Sequence, residues 1–202
     1  MFDELKNNLI NKGYRVSIFN NKLEASSYLT NEIHGKSVGM GGSITIKEMG
    51  LFESLKNNNT VWWHNDPNQV KEYGANYIRG MAMTTDIYIS SVNGISKDGV
   101  IVNLDGSGNR VSSIAYGHKK VYLIVGINKV CDTLEDTIYR VRNVAAPFNA
   151  KRLNKKTPCA INGDKCYDCK SPERICRTLS ISLYPTSSCE TEVILINEKL
   201  GC

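Results

Sequence analysis

"KKVYLIVG", residues 119–126, decides the fold. After two lysines come five apolar residues and a glycine, with no polar residue to break the run. A half-buried strand alternates apolar and polar side chains. A run apolar at every position belongs to a strand covered on both faces, as in a parallel sheet sandwiched by helices.

The neighbouring segments supply the rest of such a sheet. Upstream, "YRVSIF" (14–19), "KSVGMGG" (36–42) and "TVWWH" (60–64) read as strands. Helical spacings separate them: Phe2, Leu5 and Leu9 before Gly13, then a segment from Lys22 to Ile33, then "SITIKEMGLFESLKNN" with Met49, Phe52 and Leu55 on one face. Residues 67–82 predict one helix with Val70, Tyr73, Tyr77 and Met81 as its apolar stripe. "DIYISSVN" (86–93) and "GVIVNLDG" (99–106) are β-rich and flank "GISKDG", a turn signal. Downstream, Leu134, Ile138, Val141, Ala145 and Phe148 fall at helical spacing. "LSISLY" (179–184) and "TEVILIN" (191–197) close the chain as two strands expected to pair with each other. Alternating strands and helices predict an α/β fold, a mostly parallel sheet with helices on both faces. The expectation is one domain over residues 1–202 with a cysteine-rich insertion at 157–177.

Composition narrows the function. The chain has 202 residues, a net charge of +5 and 22% charged residues, all ordinary for a globular domain. Its basic residues are scattered and lack aromatic interleaving, which argues against nucleic acid and for a small anionic ligand. The N-terminus has no signal-peptide pattern, and no apolar run reaches the roughly 20 residues of a membrane span, so a cytoplasmic, membrane-free protein is expected.

Two constellations suit an anion. In "VGMGGSITIKEMGL" (38–51) glycines end a strand and Ser43 stands at a helix start, so Gly41, Gly42, Ser43 and Thr45 could hold an anion through amides and hydroxyls. The alternative is a tight turn with Ser43 as its cap. In "SSVNGISKDGVIVNLDGSGNR" (90–110), Asp105, Asn109 and Arg110 crowd a strand end, and Arg110 could pair with a carboxylate or phosphate. Glu48 and His118 are the acid–base candidates by residue type, Glu48 being the one placed next to the loop.

Four of the seven cysteines, Cys159, Cys166, Cys169 and Cys176, follow the spacing C-x6-C-x2-C-x6-C. In a reducing compartment they are poor disulfide candidates. Zinc or an iron–sulfur cluster is the leading reading, because a C-x-x-C hook aims two thiolates at one ion. A redox-active pair and inert thiols are the alternatives.

The segments "GGSITIKEMGL", "DIYISSVNGISKDGVIVNLDGSGNRVSSIAYGHKKVYLIVGINK", "RNVAAPFNAKR" and "TPC…GDKCYDCKSPERIC" together resemble the lactate-utilisation (LUD domain) proteins, in their stand-alone, cysteine-containing branch. The resemblance implies a fold like that of the NagB, ribose-5-phosphate isomerase and CoA-transferase group. It also implies a role like that of members which, with iron–sulfur partner proteins, oxidise L-lactate to pyruvate. Gly41, Gly42, Ser43 and Glu48 match the family's "GGS…E" motif, and Asp105, Gly106, Asn109 and Arg110 its "DG.GNR" motif. The expected function is action on, or binding of, a small hydroxy or keto acid in a redox system with a metal or iron–sulfur centre. An isomerase or transferase of phosphorylated or CoA-linked substrates is the alternative, as is a non-catalytic module with a structural metal.

Overall fold

The computed structural model describes residues 2–202. In chain order its elements begin α1 (Asp3–Asn11), β1 (Arg15–Phe19), α2 (Lys22–Glu32), β2 (Ser37–Met40), α3 (Ile44–Glu48), α4 (Leu51–Leu55) and β3 (Thr60–Trp63). Next come α5 (Pro67–Tyr73), α6 (Ala75–Ala82), β4 (Ile87–Ser91), β5 (Gly94–Ser96), β6 (Ile101–Asp105) and α7 (Asn109–Ala115). Then follow β7 (Lys120–Gly126), β8 (Val130–Cys131), α8 (Leu134–Arg140), a π-helical turn (Val141–Ala145), α9 (Ala146–Arg152), α10 (Pro158–Asn162), β9 (Thr178–Ser182) and β10 (Glu190–Ile196). None of these helices is long and apolar enough to cross a membrane.

Six strands form one sheet in the order β1-β10-β7-β4-β2-β3, with every pairing parallel. The α/β expectation holds, and the opening stretch explains why. Tyr122 and Ile124 join the core beneath α2, α3 and α4, which contains Leu29, Ile46, Leu51 and Leu55. Val121, Leu123 and Val125 join the opposite core, with Leu5 and Leu9 of α1, Ala82 of α6 and Ile114 of α7. Successive side chains of a strand point to opposite faces. Both faces are covered here, so both must be apolar.

Four local expectations are corrected. The helix over 67–82 breaks at Gly74, whose φ of +79° suits glycine, and α6 buries Ile78 and Ala82 instead of the predicted stripe. Tyr73 and Tyr77 stay about half exposed and pack edge-on against Trp62 of the edge strand β3. The segment after Ser43 likewise splits into two short helices at Gly50, with φ +64°. The strands at 179–184 and 191–197 do not pair. β10 enters the parallel sheet between β1 and β7, while β9 pairs antiparallel with β6 in a small second sheet ordered β8-β5-β6-β9. The turn signal at Asp98-Gly99 is real, but it joins β6 to β5, formed by "GIS", rather than to the 86–93 run.

Chain order reverses between β2 and β4: β3 adds on one side, and β4, β7 and β10 add successively on the other. Such a switch point opens a crevice beyond the carboxyl ends of the strands, where sheets of this type hold ligands.

Candidate functional site

That crevice is a cavity of about 290 Å³. Gly42, Ser43 and Thr45 reach it from the end of β2, and His64 and Asn65 from the end of β3. Ser91 lines it at the end of β4 and Asn93 just beyond, Lys129 after β7, and Gly201 and Cys202 after β10. The turn from Asp105 to Arg110, with Ile175, forms one wall, and Asn149 and Arg152 of α9 another. Arg79 of α6 completes the lining cations. The two motifs singled out in the sequence therefore meet in one cavity.

Their residues play distinct parts. Ser43 caps α3, its Oγ accepting from Ile46 N–H at 3.2 Å and lying 2.7 Å from Ser91 Oγ. Gly41 passes close to Arg110, whose Cδ lies 3.4 Å from where a Cβ on that glycine would stand. Across the cleft, a Cβ on Gly42 would meet His64 Nε2 at 3.0 Å.

Arg110 is buried, and its guanidinium is already engaged. Nη1 donates to Ser91 O (3.1 Å) and Asn103 Oδ1 (3.2 Å), and Nη2 to Asn93 Oδ1 (2.7 Å) and Leu104 O (2.9 Å). These acceptors are all neutral, so Arg110 bolts the small sheet to β4 and leaves its positive field in the cleft. Burial pulls its pKa down and the nearby Asp105 opposes that shift. Asp105 ties its own carboxylate to the start of α7, accepting from the backbone N–H groups of Gly106, Arg110 and Val111. Asn109 lines the cavity beside it.

Glu48 is exposed and outside the cavity lining. Its Oε2 accepts from Gly201 N–H at 2.9 Å, holding the segment after β10 against α3. His118 is also remote from the cleft: it stacks on Tyr88, with Nδ1 2.7 Å from Thr85 O.

Sequence reasoning missed Lys129, Arg79 and Arg152. Lys129 is only 3% exposed, and its Nζ donates to Thr45 Oγ1 at 2.9 Å. Burial, the largest influence, lowers its pKa to about 7. It lies three residues beyond Gly126, at the carboxyl end of the clearest strand in the chain, and that position was the available signal. Arg79 and Arg152 sit on helices and carry no local signal. His64 also faces the cleft; burial first, then Arg79, holds it near 4, so it is neutral at pH 7.

The cysteine segment packs against the Asp105 turn, where Arg177 N–H donates to Asp105 O at 3.0 Å. It contains the short helix α10. Arginines organise it: Arg174 donates to Cys169 O (2.9 Å) and Cys176 O (3.2 Å), and Arg142 pairs with Asp168 at 3.3 Å. Cys166 and Cys176 line a second cavity of about 190 Å³ with Arg142, Arg174 and Arg177. Cys159 is placed apart from it, its Sγ 3.3 Å from Thr157 Oγ1. Among the described residues no three His, Cys, Asp or Glu side chains gather as one ion would need. As placed, the four thiols do not fit a ligand shell.

The family model described as "LUD domain" matches residues 2–196. The chain belongs to the LUD domain family. A solved structure from Deinococcus radiodurans, titled as a DUF162 family protein, is similar to this LUD domain at 11% sequence identity. It superposes with a TM-score of 0.56 over 96% of this chain and 94% of that one, a likeness of fold. A search of curated proteins found no match.

Proposed function

We propose that this LUD domain binds a small hydroxy or keto carboxylate in the cleft between β2 and β4. In this reading it is the acid-handling member of a redox system whose electrons travel through partner proteins. The supporting observation is the charge of the lining: Arg79, Arg110, Arg152 and the partly charged Lys129 against one acidic side chain, Asp105, whose oxygens accept from three backbone N–H groups. Cations walled by protein focus their field on an anion far better than scattered surface lysines do. The hydroxyls of Ser43, Thr45 and Ser91 suit the second oxygen that distinguishes a hydroxy or keto acid from a plain carboxylate. A cavity near 290 Å³ takes a short acid whole, whereas a CoA-linked substrate would lie mostly outside it.

Calorimetric titration with L-lactate, pyruvate and the uncharged lactamide tests this. Both acids should bind and lactamide should not. Arg152→Met should weaken the acids about tenfold, the loss of one charge-assisted contact. Equal binding of lactamide, or no binding of either acid, rejects the reading. The four clustered cysteines are tested apart from the acid site. Whether they hold iron or zinc is read from the metal content of anaerobically purified protein against a Cys166→Ser, Cys169→Ser double variant.

A further inference from the structure

Lys129 is placed for more than charge. Its ammonium is buried without a carboxylate partner among the described ion pairs, and its one hydrogen-bond acceptor is the Thr45 hydroxyl. A buried lysine whose one hydrogen-bond partner is a neutral hydroxyl costs folding energy. It is tolerated most readily as the free amine. Space beside it is kept by Gly201: with φ +62°, a Cβ there would lie 2.7 Å from Thr45 Oγ1 and 3.6 Å from Lys129 Nζ. Lys129 is among the residues that line the cleft.

We propose that Lys129 is a catalytic residue that forms an imine with the carbonyl carbon of a 2-keto acid, held by its carboxylate to the cleft cations. This rests on the preceding reading of the cleft and goes beyond it by making the attachment covalent. The neutral amine adds its lone pair to the carbonyl carbon, giving a carbinolamine. Loss of its hydroxyl as water, with both amine protons leaving in that water, gives the C=N bond. No oxidant or reductant is consumed. Thr45 Oγ1, at 2.9 Å, accepts a proton from Nζ and passes one to the departing oxygen. Lactate, which has no carbonyl, can bind but cannot form the adduct, so the lysine distinguishes the two oxidation levels of one carbon skeleton.

The environment supplies the free amine near neutrality. Burial lowers the lysine pKa to about 7; Cys202 and Glu48 of α3 raise it, while Arg140 of α8 and Arg110 of α7 lower it further. Adduct formation should therefore rise with pH through about 7.

The test is reductive trapping. The full chain is incubated with pyruvate and sodium cyanoborohydride, digested, and its lysine peptides weighed, with binding measured in parallel by calorimetry without reductant. The expected result is one reduced pyruvate adduct, on Lys129, absent with lactate. Lys129→Met should abolish it, and Thr45→Val should slow it about tenfold with the fold intact by circular dichroism. Lys129→Arg, which keeps a cation that cannot condense in this way, should bind pyruvate without trapping it and guards against a folding artefact in the methionine variant. Pyruvate binding without an adduct on Lys129 overturns the imine and leaves the carboxylate site standing. An adduct spread over exposed lysines at equal rates overturns it as well. Failure of both acids to bind removes both proposals together.

Discussion

The two sheets of this molecule divide its labour. In the parallel sheet, β7 and β10 each bury six of seven residues, and the strands are gripped by helices on both sides. In the small sheet, β9 leaves Leu179 and Ile181 about 40% exposed and contributes an edge. The first sheet is held by apolar burial. The second is held where it matters by polar clamps, Arg110 joining Asn93, Asn103 and Leu104, and those clamps shape one wall of the cleft. Stability is thus concentrated in one layer, and site geometry in the seam between the layers.

The sharpest way to break that division is to attack the charge inside the stable layer. Glu192 on β10 is 1% exposed; its Oε1 accepts from Ser17 and Tyr28 hydroxyls, and its Oε2 pairs with Lys120 at 2.9 Å. Removing one partner of a buried pair leaves the other uncompensated. Glu192→Ala should lower unfolding free energy in urea by about 3 kcal/mol, the low end for such losses because Lys120 keeps Glu190. A loss under about 1 kcal/mol would mean that the parallel sheet does not depend on this pair.

Gly39→Ala probes the same layer sterically. A Cβ there would stand 2.2 Å from the Ala82 carbonyl oxygen and 2.8 Å from Thr85 Oγ1, so β2 and α6 would have to separate. Overpacking of this kind destabilises by about 1–3 kcal/mol. The expected readout is a lowered Tm together with weaker acid binding, since the loop lining the cleft leaves from the end of β2. A variant with wild-type Tm would show that α6 yields freely.

How much of this could be read from the sequence follows the same division. The β7 run was legible because burial on both faces leaves an uninterrupted apolar signature, and its neighbours in the parallel sheet were placed correctly as strands. The fate of "LSISLY" was not legible. An alternating strand announces one buried face but not its partner, so β9 and β10 were joined when they belong to different sheets. In the cleft, the glycine loop and the Asp105–Arg110 turn were visible as local clusters of unusual residues. Lys129, Arg79 and Arg152 were not, because each is a cation in an ordinary element and only the topology brings them to one cavity. Arg110 was found, but four neutral acceptors turn its guanidinium from a ligand hand into a bolt.

Acid sensitivity separates the seam from the layers. His64 at the cleft has its pKa held near 4, against about 6.5 in the unfolded chain, mainly by burial, with Arg79 adding and Asp105 opposing. Between those values the unfolded chain binds a proton that the folded chain refuses, so stability falls as pH drops from about 6.5 towards 4. Above about 6.5 the group has no effect. His64→Gln should flatten that part of the stability–pH curve by on the order of 2 kcal/mol, a figure reduced for partial exposure, while His118, also lowered by burial, retains a share. An unchanged slope would place the acid sensitivity in the sheets instead.

The smallest expected effect tests the other half of the comparison. Ile181 lies on β9, 42% exposed, on a strand whose outer edge pairs with no other strand. Replacing it by Val keeps a β-branched side chain, so χ1 freedom and strand propensity are nearly conserved. What is lost is a methyl group that is half in water already, and full burial of such a group is worth only about 0.8 kcal/mol. Ile181→Val should therefore shift unfolding free energy by no more than about 0.5 kcal/mol, measured by urea denaturation in dilute protein. It should leave acid binding unaltered, because the clamps that shape the cleft reach β6 and not β9. A shift above about 1 kcal/mol would mean that the edge strand carries stability beyond its burial, and the assignment of stability to the parallel layer alone would then fail.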